Sequence, residues 1–381
     1  MKKILALFLT IAMLFTSYAF VLPAYAVDSN APQITDAQLT LGADLAVQYF
    51  VPAQYFGEDG YTNPVLHASI GSVNQTVSEY TLDSETNCYV FRVDYITPAM
   101  MSDKINVYLT AKNANGTDFT GETKSKSIAE LCDDYINDGD AKTADLADAI
   151  LSYGYASQMY VKGSSDLTNA NTEIFDVLGS LKKTGTTVKG ALSEDAFSGT
   201  VSATWQSGSL TLTDSIVLNF TFQTTENVDG LYASVVYGHG GTKEATVTEF
   251  TSLGSNSYKL SFDAWSACDF SAPVAITIYK GTKQVSKTVH YSILDYAISA
   301  EETNDAKLKN LTRSILKYIT YVDNLSPVAN YDIPHMKDVC TRIIEGEPAI
   351  SLTTATYYPN ATNVKHLGRT YVGNNTTWLG W

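Results

Sequence analysis

The feature that most constrains the fold is an internal duplication in this 381-residue sequence. Three segments in which apolar and polar residues alternate recur about 170 positions later in the chain. The first set is Leu39, Leu41, Leu45, Val47, Tyr49, Tyr89, Phe91, Val93, Ile105, Val107 and Leu109. The second set is Leu210, Leu212, Ile216, Leu218, Phe220, Tyr258, Leu260, Phe262, Val274, Ile276 and Ile278. Alternation with a period of two places one apolar face on a β-strand, so the duplication predicts two similar sheet-containing units.

Both copies then change from a period of two to a period near 3.6. The change begins at Ser127-Ile128 and, 165 positions later, at Ser292-Ile293. The apolar stripes that follow are Leu146, Ile150, Tyr153 and Ser157 in the first copy, and Leu308, Leu311, Ile315, Ile319 and Val322 in the second. This spacing predicts helices with one buried side. Either the sheet or the other helices could cover that side.

These patterns predict an α+β fold of two tandem immunoglobulin-like β-sandwich units, each followed by a helix pair, with a short C-terminal β segment. We place repeat 1 at 27–162 and repeat 2 at 201–325. Between them, 163–200 is rich in Thr, Ser, Gly and Asn and is expected to be a linker that supplies an entry strand. The remainder, 326–381, is expected to hold a linker helix and an incomplete β domain.

The N-terminus has the three parts of a secretory signal peptide. Lys2 and Lys3 precede an apolar run over 4–16, and Ala24-Tyr25-Ala26 provides small residues at the cleavage positions. The run is shorter than the roughly 20 residues that span a bilayer. We therefore expect cleavage after Ala26 and an extracellular or cell-surface location, with no membrane segment in the mature chain.

The composition excludes some partners. The chain has 25 Lys and Arg against 40 Asp and Glu, a net charge of −15. Such an acidic protein is not expected to bind nucleic acid or anionic membranes through charge. The four cysteines are too few for a disulfide scaffold, so we expect buried small side chains with at most one bridge: Cys88, Cys132, Cys268 and Cys340.

Residues 34–322 resemble a tandem extracellular module found in secreted multidomain proteins of gut Clostridia. The resemblance rests on the strand at 39–50 and on four motifs. These are M-S-D-K-I at 101–105, I-L-S-Y-G-Y-A-S-Q at 150–158, S-D-L-T-N-A-N at 165–171 and Y-S-I-L-D-Y at 291–296. The second copy departs from the pattern, with Lys317-Tyr318-Ile319 where the first has Ser152-Tyr153-Gly154. The resemblance implies a surface or extracellular polysaccharide-related setting.

Residues 363–381 resemble the start of the jelly-roll domain that precedes the SGNH-type hydrolase domain of family-two carbohydrate esterases. The matched residues are Val364, Lys365, Leu367, Gly368, Arg369, Thr370, Tyr371, Trp378, Leu379 and Trp381. A turn at 373–375 would join the two strands of this segment. The match contains none of the esterase's catalytic residues. It implies the N-terminal part of an acetyl xylan esterase-like protein whose catalytic domain lies beyond Trp381; a strand pair that resembles this domain by coincidence is the alternative.

No catalytic or metal constellation is evident in the sequence, and no cofactor is expected. The chain lacks G-x-S-x-G. Gly238-His239-Gly240-Gly241 is predicted to be a hairpin turn rather than an oxyanion loop. The acids between 133 and 140 are bunched, unlike the alternating ligands of a calcium loop, and are expected to form a turn between helices. The other histidines have no metal-ligand spacing: His67, His290, His335 and His366.

The function favoured by the sequence is that of a secreted, non-catalytic spacer or a carbohydrate- or surface-binding module, with a polysaccharide or cell-wall glycan as its partner. The candidate ligand-binding residues are Trp265, Trp378 and Trp381, with Trp205, Tyr61 and Tyr237 as further aromatic residues. Strand aromatics also fill cores, and the sequence leaves both roles open. A truncated carbohydrate esterase and a cell-surface adhesin are the alternatives.

Overall fold

A computed structural model describes residues 31–41, 45–57, 60–172, 192–212, 215–238, 243–265, 267–270, 274–300, 303–325, 351–357, 364–373 and 376–377. The described residues divide into two compact units. The first unit holds 31–40, 46–93 and 105–126, and the second holds 41, 45, 94–104 and the described residues from 127 onward. Within the described ranges, no helix is both apolar enough and long enough to span a bilayer. The proposed signal peptide and the predicted helix after Pro327 lie outside these ranges.

The first repeat forms two antiparallel sheets. Its strands are β1 (Asp36–Leu41), β2 (Leu45–Pro52), β3 (Thr62–Ile70), β4 (Val73–Val77), β5 (Thr81–Asp83), β6 (Cys88–Ile96), β7 (Ile105–Lys112), β8 (Asp118–Thr120) and β9 (Lys124–Lys126). One sheet has the order β1-β2-β6-β5, and the other has the order β4-β3-β7-β8, with β9 also paired to β7.

The second repeat uses the same strand order. Its strands are β10 (Ser193–Glu194), β11 (Ala203–Thr211), β12 (Val217–Thr224), β13 (Leu231–Tyr237), β14 (Lys243–Val247), β15 (Thr251–Gly254), β16 (Ser257–Phe262), β17 (Val274–Lys280), β18 (Lys283–Gln284) and β19 (Val289–Tyr291). The sheets are β11-β12-β16-β15 and β10-β19-β17-β13-β14, with β18 paired to β17. Within the described ranges, β10 is the one strand of the second repeat without a counterpart in the first; it lies in the predicted linker and pairs with β19. The prediction of a β-rich fold with antiparallel sheets is confirmed.

The residues that alternate in the sequence are the ones that form the buried core of the sheets. Along β3 and β7 the buried residues are Leu66, Ala68, Ile70, Ile105, Val107, Leu109 and Ala111, and the residues between them are less buried or exposed. Strand β2 is buried on both faces, because Phe50 packs with Cys88 and Val90 on the side opposite Tyr49. Cys88 and Cys132 are free thiols, and burial raises the pKa of both. They pack as small apolar side chains.

Among the described residues of the second unit there are four helices: α1 (Ile128–Asp138), α2 (Ala141–Val161), α3 (Ile293–Ala300) and α4 (Ala306–Leu325). The period change predicted the starts of α1 and α3. Ser127 caps α1 through a capping box, in which its Oγ accepts from Glu130 N at 3.2 Å and Glu130 Oε2 accepts from Ser127 N at 2.9 Å. Asp140 and Asp305, 165 residues apart, cap α2 and α4.

The long helices α2 and α4 pack on each other through equivalent positions of the two repeats. The rings of Tyr153 and Tyr318, 165 residues apart, stack with centroids 5.8 Å apart and planes 20° apart. Lys317 Nζ donates to Ser152 Oγ at 3.2 Å, and this pair is also separated by 165 residues. Contacts between equivalent positions are the property of a two-fold interface, so α2 and α4 are related by a local approximate two-fold axis.

The contact between α2 and α4 shows what buries the apolar sides of these helices. Every residue from 311 to 319 of α4 is buried, so the helix is enclosed on all sides rather than along one stripe. The residues of α2 that face α4 come from the first repeat, yet both helices lie in one compact unit. The helices of the two repeats therefore cover each other, which is one of the two arrangements that the sequence left open.

The start of the predicted linker is folded against α2. Gln158 is fully buried, and its Nε2 donates to Ala99 O at 3.3 Å and Ser102 Oγ at 2.9 Å. Its Oε1 accepts from Ser165 Oγ at 2.7 Å and Asp166 N at 2.9 Å. One glutamine thus joins the turn before β7 to the segment after α2.

Gly154 explains one departure between the repeats. A Cβ at this position would overlap Met101 Sδ and lie 2.9 Å from Leu167 Cδ1. Met101 is fully buried and Leu167 almost so, and neither has room to move. Glycine is therefore required at 154, whereas the equivalent Ile319 fills core volume.

Residues near the C-terminus form a three-stranded antiparallel sheet of β20 (Ser351–Tyr357), β21 (Val364–Gly373) and β22 (Thr376–Thr377). Val372 pairs with Thr377 and Gly373 with Thr376, which agrees with the hairpin predicted around 373–375. Strand β20 was not predicted from the sequence. Trp378 and Trp381 lie outside the described residues.

Replacing Asp140 or Asp305 by Ala is expected to lower the free energy of unfolding by about 1 kcal/mol each, because backbone N–H groups of α2 or α4 lose their acceptor. Asn keeps an acceptor oxygen and should cost less. Hydrogen bonds from Thr143 hold the pKa of Asp140 below its ordinary value. The contribution of Asp140 is therefore full above that ordinary value and is lost as the pH falls through the lowered pKa. Urea unfolding of Asp140→Ala at neutral and acidic pH checks this: a difference from wild type that persisted below the lowered pKa would contradict it.

Candidate binding surface

The indole of Trp265, proposed from the sequence as a ligand contact, lies in the core. It is 3% exposed and packs between Phe262 and Phe270, at ring-centroid distances of 6.1 Å and 4.8 Å. Its Nε1 donates to Ile216 O at 2.8 Å. Stacking on a sugar ring needs an exposed aromatic face, and Trp265 has none. The sequence-based assignment is corrected to a core role, because apolar neighbours and a carbonyl acceptor satisfy both parts of the indole.

The other aromatic residues considered from the sequence are also engaged within the fold. Trp205 is buried, and its Nε1 donates to Lys287 O at 2.8 Å. The ring of Tyr237 packs edge-on against Phe262 at 4.9 Å, and burial raises its pKa. Tyr61 is half-buried and contacts Phe119 at 5.1 Å. Of these three residues, Trp205 is buried, and Tyr61 and Tyr237 are half-buried against a neighbouring ring.

An exposed aromatic patch does lie at the edge of the first unit. Tyr80 is 40% exposed and Leu82 is 57% exposed, both unusually high for such large apolar side chains. The ring of Tyr80 contacts Tyr89 at 4.5 Å, and Tyr89 in turn contacts Phe56 at 5.0 Å. We call Tyr80, Leu82 and Tyr89 the Tyr80 platform.

The strand geometry explains why these three side chains meet. β5 is the edge strand of its sheet, and Leu82 pairs directly with Tyr89 on β6. Tyr80 precedes Leu82 by two residues and so lies on the same face. The β5–β6 turn is fixed by Asp83, which accepts from Thr86 Oγ1 at 2.6 Å and Glu85 N at 3.1 Å; the bond from Thr86 holds the pKa of Asp83 below its ordinary value. Strand pairing with β6 and the hydrogen-bonded β5–β6 turn therefore both fix the position of the platform.

The polar neighbours of the platform are free to bind. Glu79 is exposed, and none of the described hydrogen bonds or ion pairs involves it. Thr81 follows Tyr80 and is also exposed. An exposed carboxylate and an exposed hydroxyl thus adjoin Tyr80 along the chain, one on each side in sequence. Aromatic faces with a few polar groups beside them are suited to a ligand that is apolar on one side and rich in hydroxyls on its rim.

A second aromatic pair lies on the outer face of the second repeat. Tyr232 and Tyr279 are cross-strand neighbours and both half-exposed, with centroids 5.4 Å apart and planes 14° apart. Because the two rings stack on each other, each covers one face of its neighbour. This pair is better explained as a cross-strand contact that stabilises the sheet.

Ser152 and Lys317 have the residue types of a serine–lysine nucleophile pair, but their environment is structural. Ser152 is fully buried, and its Oγ also contacts the carbonyl oxygens of Asp148 and Asn171, each at 2.9 Å. Lys317 forms an ion pair with Asp148. A nucleophile requires access to substrate, and this hydroxyl has none.

The Gly238 segment connects a β-hairpin, as predicted. Tyr237 pairs with Lys243 across β13 and β14, and Gly238 has φ +73°. Lys243 Nζ contacts both carboxylate oxygens of the buried Asp269, at 2.7 Å and 2.8 Å. The hairpin is therefore anchored to the turn at 267–269 by an ion pair. Residues 239–242 lie outside the described ranges.

The histidines and the acidic segment also have structural surroundings. His67 stacks on Tyr108 and its Nε2 lies 2.9 Å from Thr110 Oγ1, while buried His290 lies 3.1 Å from Asp195 Oδ2. The acids between 133 and 140 span the end of α1 and the cap of α2. Within the described residues, no cluster of three or more His, Cys, Asp and Glu could hold a metal ion.

The sequence reasoning missed the Tyr80 platform. Tyr80, Leu82 and the alternation around Tyr89 look like ordinary core positions in a strand pattern. What exposes them is the position of the short β5 at a sheet edge, which the pattern does not contain. The adjacent exposed acid at 79 was the available signal.

Comparison with known proteins does not assign the chain to a family. No family model matches the chain, and no curated protein matches it. A solved structure that is similar is the GH family 64 laminaripentaose-producing β-1,3-glucanase from Paenibacillus barengoltzii, complexed with laminarihexaose. The identity is 6%, the TM-score is 0.16, and the match covers 67% of this chain. This chain spans 50% of the glucanase chain. A TM-score this low does not establish a shared fold.

Proposed function

We propose that this chain is an exported, non-catalytic modular protein whose two immunoglobulin-like units act outside the cell, with a polysaccharide or cell-wall glycan as the ligand. The signal-peptide pattern supports the location, and the repeated strand order supports the modular organisation. The Tyr80 platform is the observation on which the binding role rests.

The chemistry of the platform fits a sugar. One face of a pyranose ring presents C–H groups that pack against an aromatic ring, and its rim carries hydroxyls. Tyr80 offers a partly exposed ring, and its sequence neighbours Glu79 and Thr81 are exposed polar residues. Binding is the activity that the exposed side chains of the platform support best.

A glycan array probed with the full mature chain tests the proposal, and we expect retention of at least one plant or microbial polysaccharide. Tyr80→Ala is expected to weaken binding about tenfold or more, as is usual for truncating a central aromatic contact. Tyr80→Phe keeps the ring and serves as the control. Absence of binding to every glycan, or equal binding by Tyr80→Ala and Tyr80→Phe, would remove the support for this function.

A further inference from the structure

One exposed segment is nearly identical in the two repeats. Residues 76–81 read T-V-S-E-Y-T, and residues 246–251 read T-V-T-E-F-T, at a constant shift of 170. Four of the six residues are identical, and the other two are Ser/Thr and Tyr/Phe pairs. Each segment runs from the end of β4 or β14 into β5 or β15. The structure therefore places the same six residues at the same point of each sandwich.

The buried strands have diverged much further. None of the eight residues of β2 is identical to its counterpart at a shift of 171, and none of the eight residues of β7 is identical to its counterpart at 169. Surface connections normally change faster than the core. Here the order is reversed, since all six residues of each segment are exposed or half-exposed. Packing of the fold does not account for this retention.

Part of the segment has a structural role in each unit. Tyr80 contacts Phe91 at 5.3 Å, and Phe250 contacts Phe222 at 5.3 Å. The retention of an aromatic residue at 80 and 250 is thus partly explained, because each ring packs on a buried phenylalanine. The glutamate is not, because Glu79 and Glu249 are exposed and neither forms a described hydrogen bond or ion pair. Both glutamates lie in the short connections between strands, at 78–80 and 248–250, so they have no place in a ladder that would explain their retention.

We infer that T-V-S-E-Y-T at 76–81 and T-V-T-E-F-T at 246–251 are two equivalent binding sites for a neutral, hydroxyl-rich glycan chain, one in each repeat. This rests on the proposed function and specifies its site and ligand class. A carboxylate without a cationic partner accepts hydrogen bonds from hydroxyl donors. The net charge of −15 disfavours acidic polysaccharides and other polyanions. Two equal sites on one chain fit a polymer that repeats the same unit.

Affinity electrophoresis of the full mature chain tests the ligand class. Gels containing soluble xylan, β-1,3-glucan or mannan are compared with gels containing polygalacturonate. Retardation by at least one neutral polysaccharide and none by polygalacturonate is expected. If no neutral polysaccharide retards the chain, the proposed function fails together with the inference. If polygalacturonate retards it most strongly, the glycan function stands and the assignment to neutral ligands is overturned.

Calorimetric titration with a hexasaccharide of the retained polysaccharide tests the duplication. Wild type should bind two equivalents of the hexasaccharide. Glu79→Lys and Glu249→Lys should each bind one equivalent, and the double variant should bind none. Glu244→Lys makes the same charge change at an exposed acid of β14 whose side chain forms no described hydrogen bond or ion pair, and this variant should bind two equivalents.

Thermal unfolding checks that the variants are folded. The midpoint temperatures of all the lysine variants should match that of wild type, because the replaced side chains are exposed. Binding by the double variant at wild-type affinity, or a wild-type stoichiometry of one, would overturn the inference while leaving glycan binding established. Loss of binding in Glu244→Lys as well would show that charge alone, rather than the segment, controls affinity.

Discussion

Replacing Asp148 by Asn is expected to lower the free energy of unfolding by about 3–5 kcal/mol, the usual cost of leaving a buried charge without its partner. The side chain of Lys317 is 4% exposed, and its ammonium is bonded to the Asp148 carboxylate and to Ser152 Oγ. In Asp148→Asn the ammonium keeps only neutral acceptors and cannot reach water. Chemical denaturation measures the change.

Replacing the other partner, in Lys317→Met, should lower the free energy of unfolding by less than Asp148→Asn does. This asymmetry makes the prediction specific. The side chain of Asp148 is 30% exposed, so in Lys317→Met the remaining carboxylate can still be hydrated. Methionine also fills the volume of the lysine stem. The double variant should be more stable than Asp148→Asn alone, because no buried charge is left. Equal costs for the two single variants would contradict this asymmetry.

Asp145 offers a matched control on the same helix. Burial, followed by repulsion from Asp148, raises the pKa of Asp145, which means that its charged form is disfavoured in the folded state. Asp145→Asn removes that charge and is expected to leave stability unchanged or slightly higher. Lys317 also attracts the charge of Asp145, but of these two acids Asp148 is the one with a described ion pair to Lys317. The contrast therefore separates the direct contact from the longer-range effect of charge.

The ion pair also shows what the duplicated sequence could and could not predict. The repeat offsets predicted that the strand segments occur twice, and the period change placed the starts of α1 and α3. These features depend on local periodicity, which is written in neighbouring residues. That Ser152 would meet Lys317 was not predictable, because an apolar stripe shows that a helix is covered but not by which partner.

The candidate site was predicted less well for a related reason. The spacing of Trp265 fits both a core and a surface position, and burial was decided by Phe262, Phe270 and the carbonyl of Ile216. Conversely, Tyr80 alternates like a core residue and is exposed only because β5 is a short edge strand. Exposure is a tertiary property, so the sequence identified aromatic residues without separating the binding ones from the packed ones.

Trp265→Ala is expected to lower the free energy of unfolding by about 3–5 kcal/mol, because it removes a large buried side chain and leaves a cavity beside Phe262 and Phe270. Trp265→Phe keeps most of the volume and should cost about 1–3 kcal/mol, chiefly from the unpaired carbonyl of Ile216. Urea unfolding of the two variants measures both costs.

Glycan binding by folded Trp265→Phe then separates a core role from a ligand contact. Its affinity should equal that of wild type, since the indole has no exposed face, whereas Tyr80→Ala should lose binding at the platform of the first repeat while remaining folded. Trp205→Phe is the matched control, because its buried Nε1 likewise donates to a carbonyl, that of Lys287. Loss of binding in Trp265→Phe with an unchanged free energy of unfolding would contradict the core assignment, since only a residue that touches the ligand can alter affinity without altering stability.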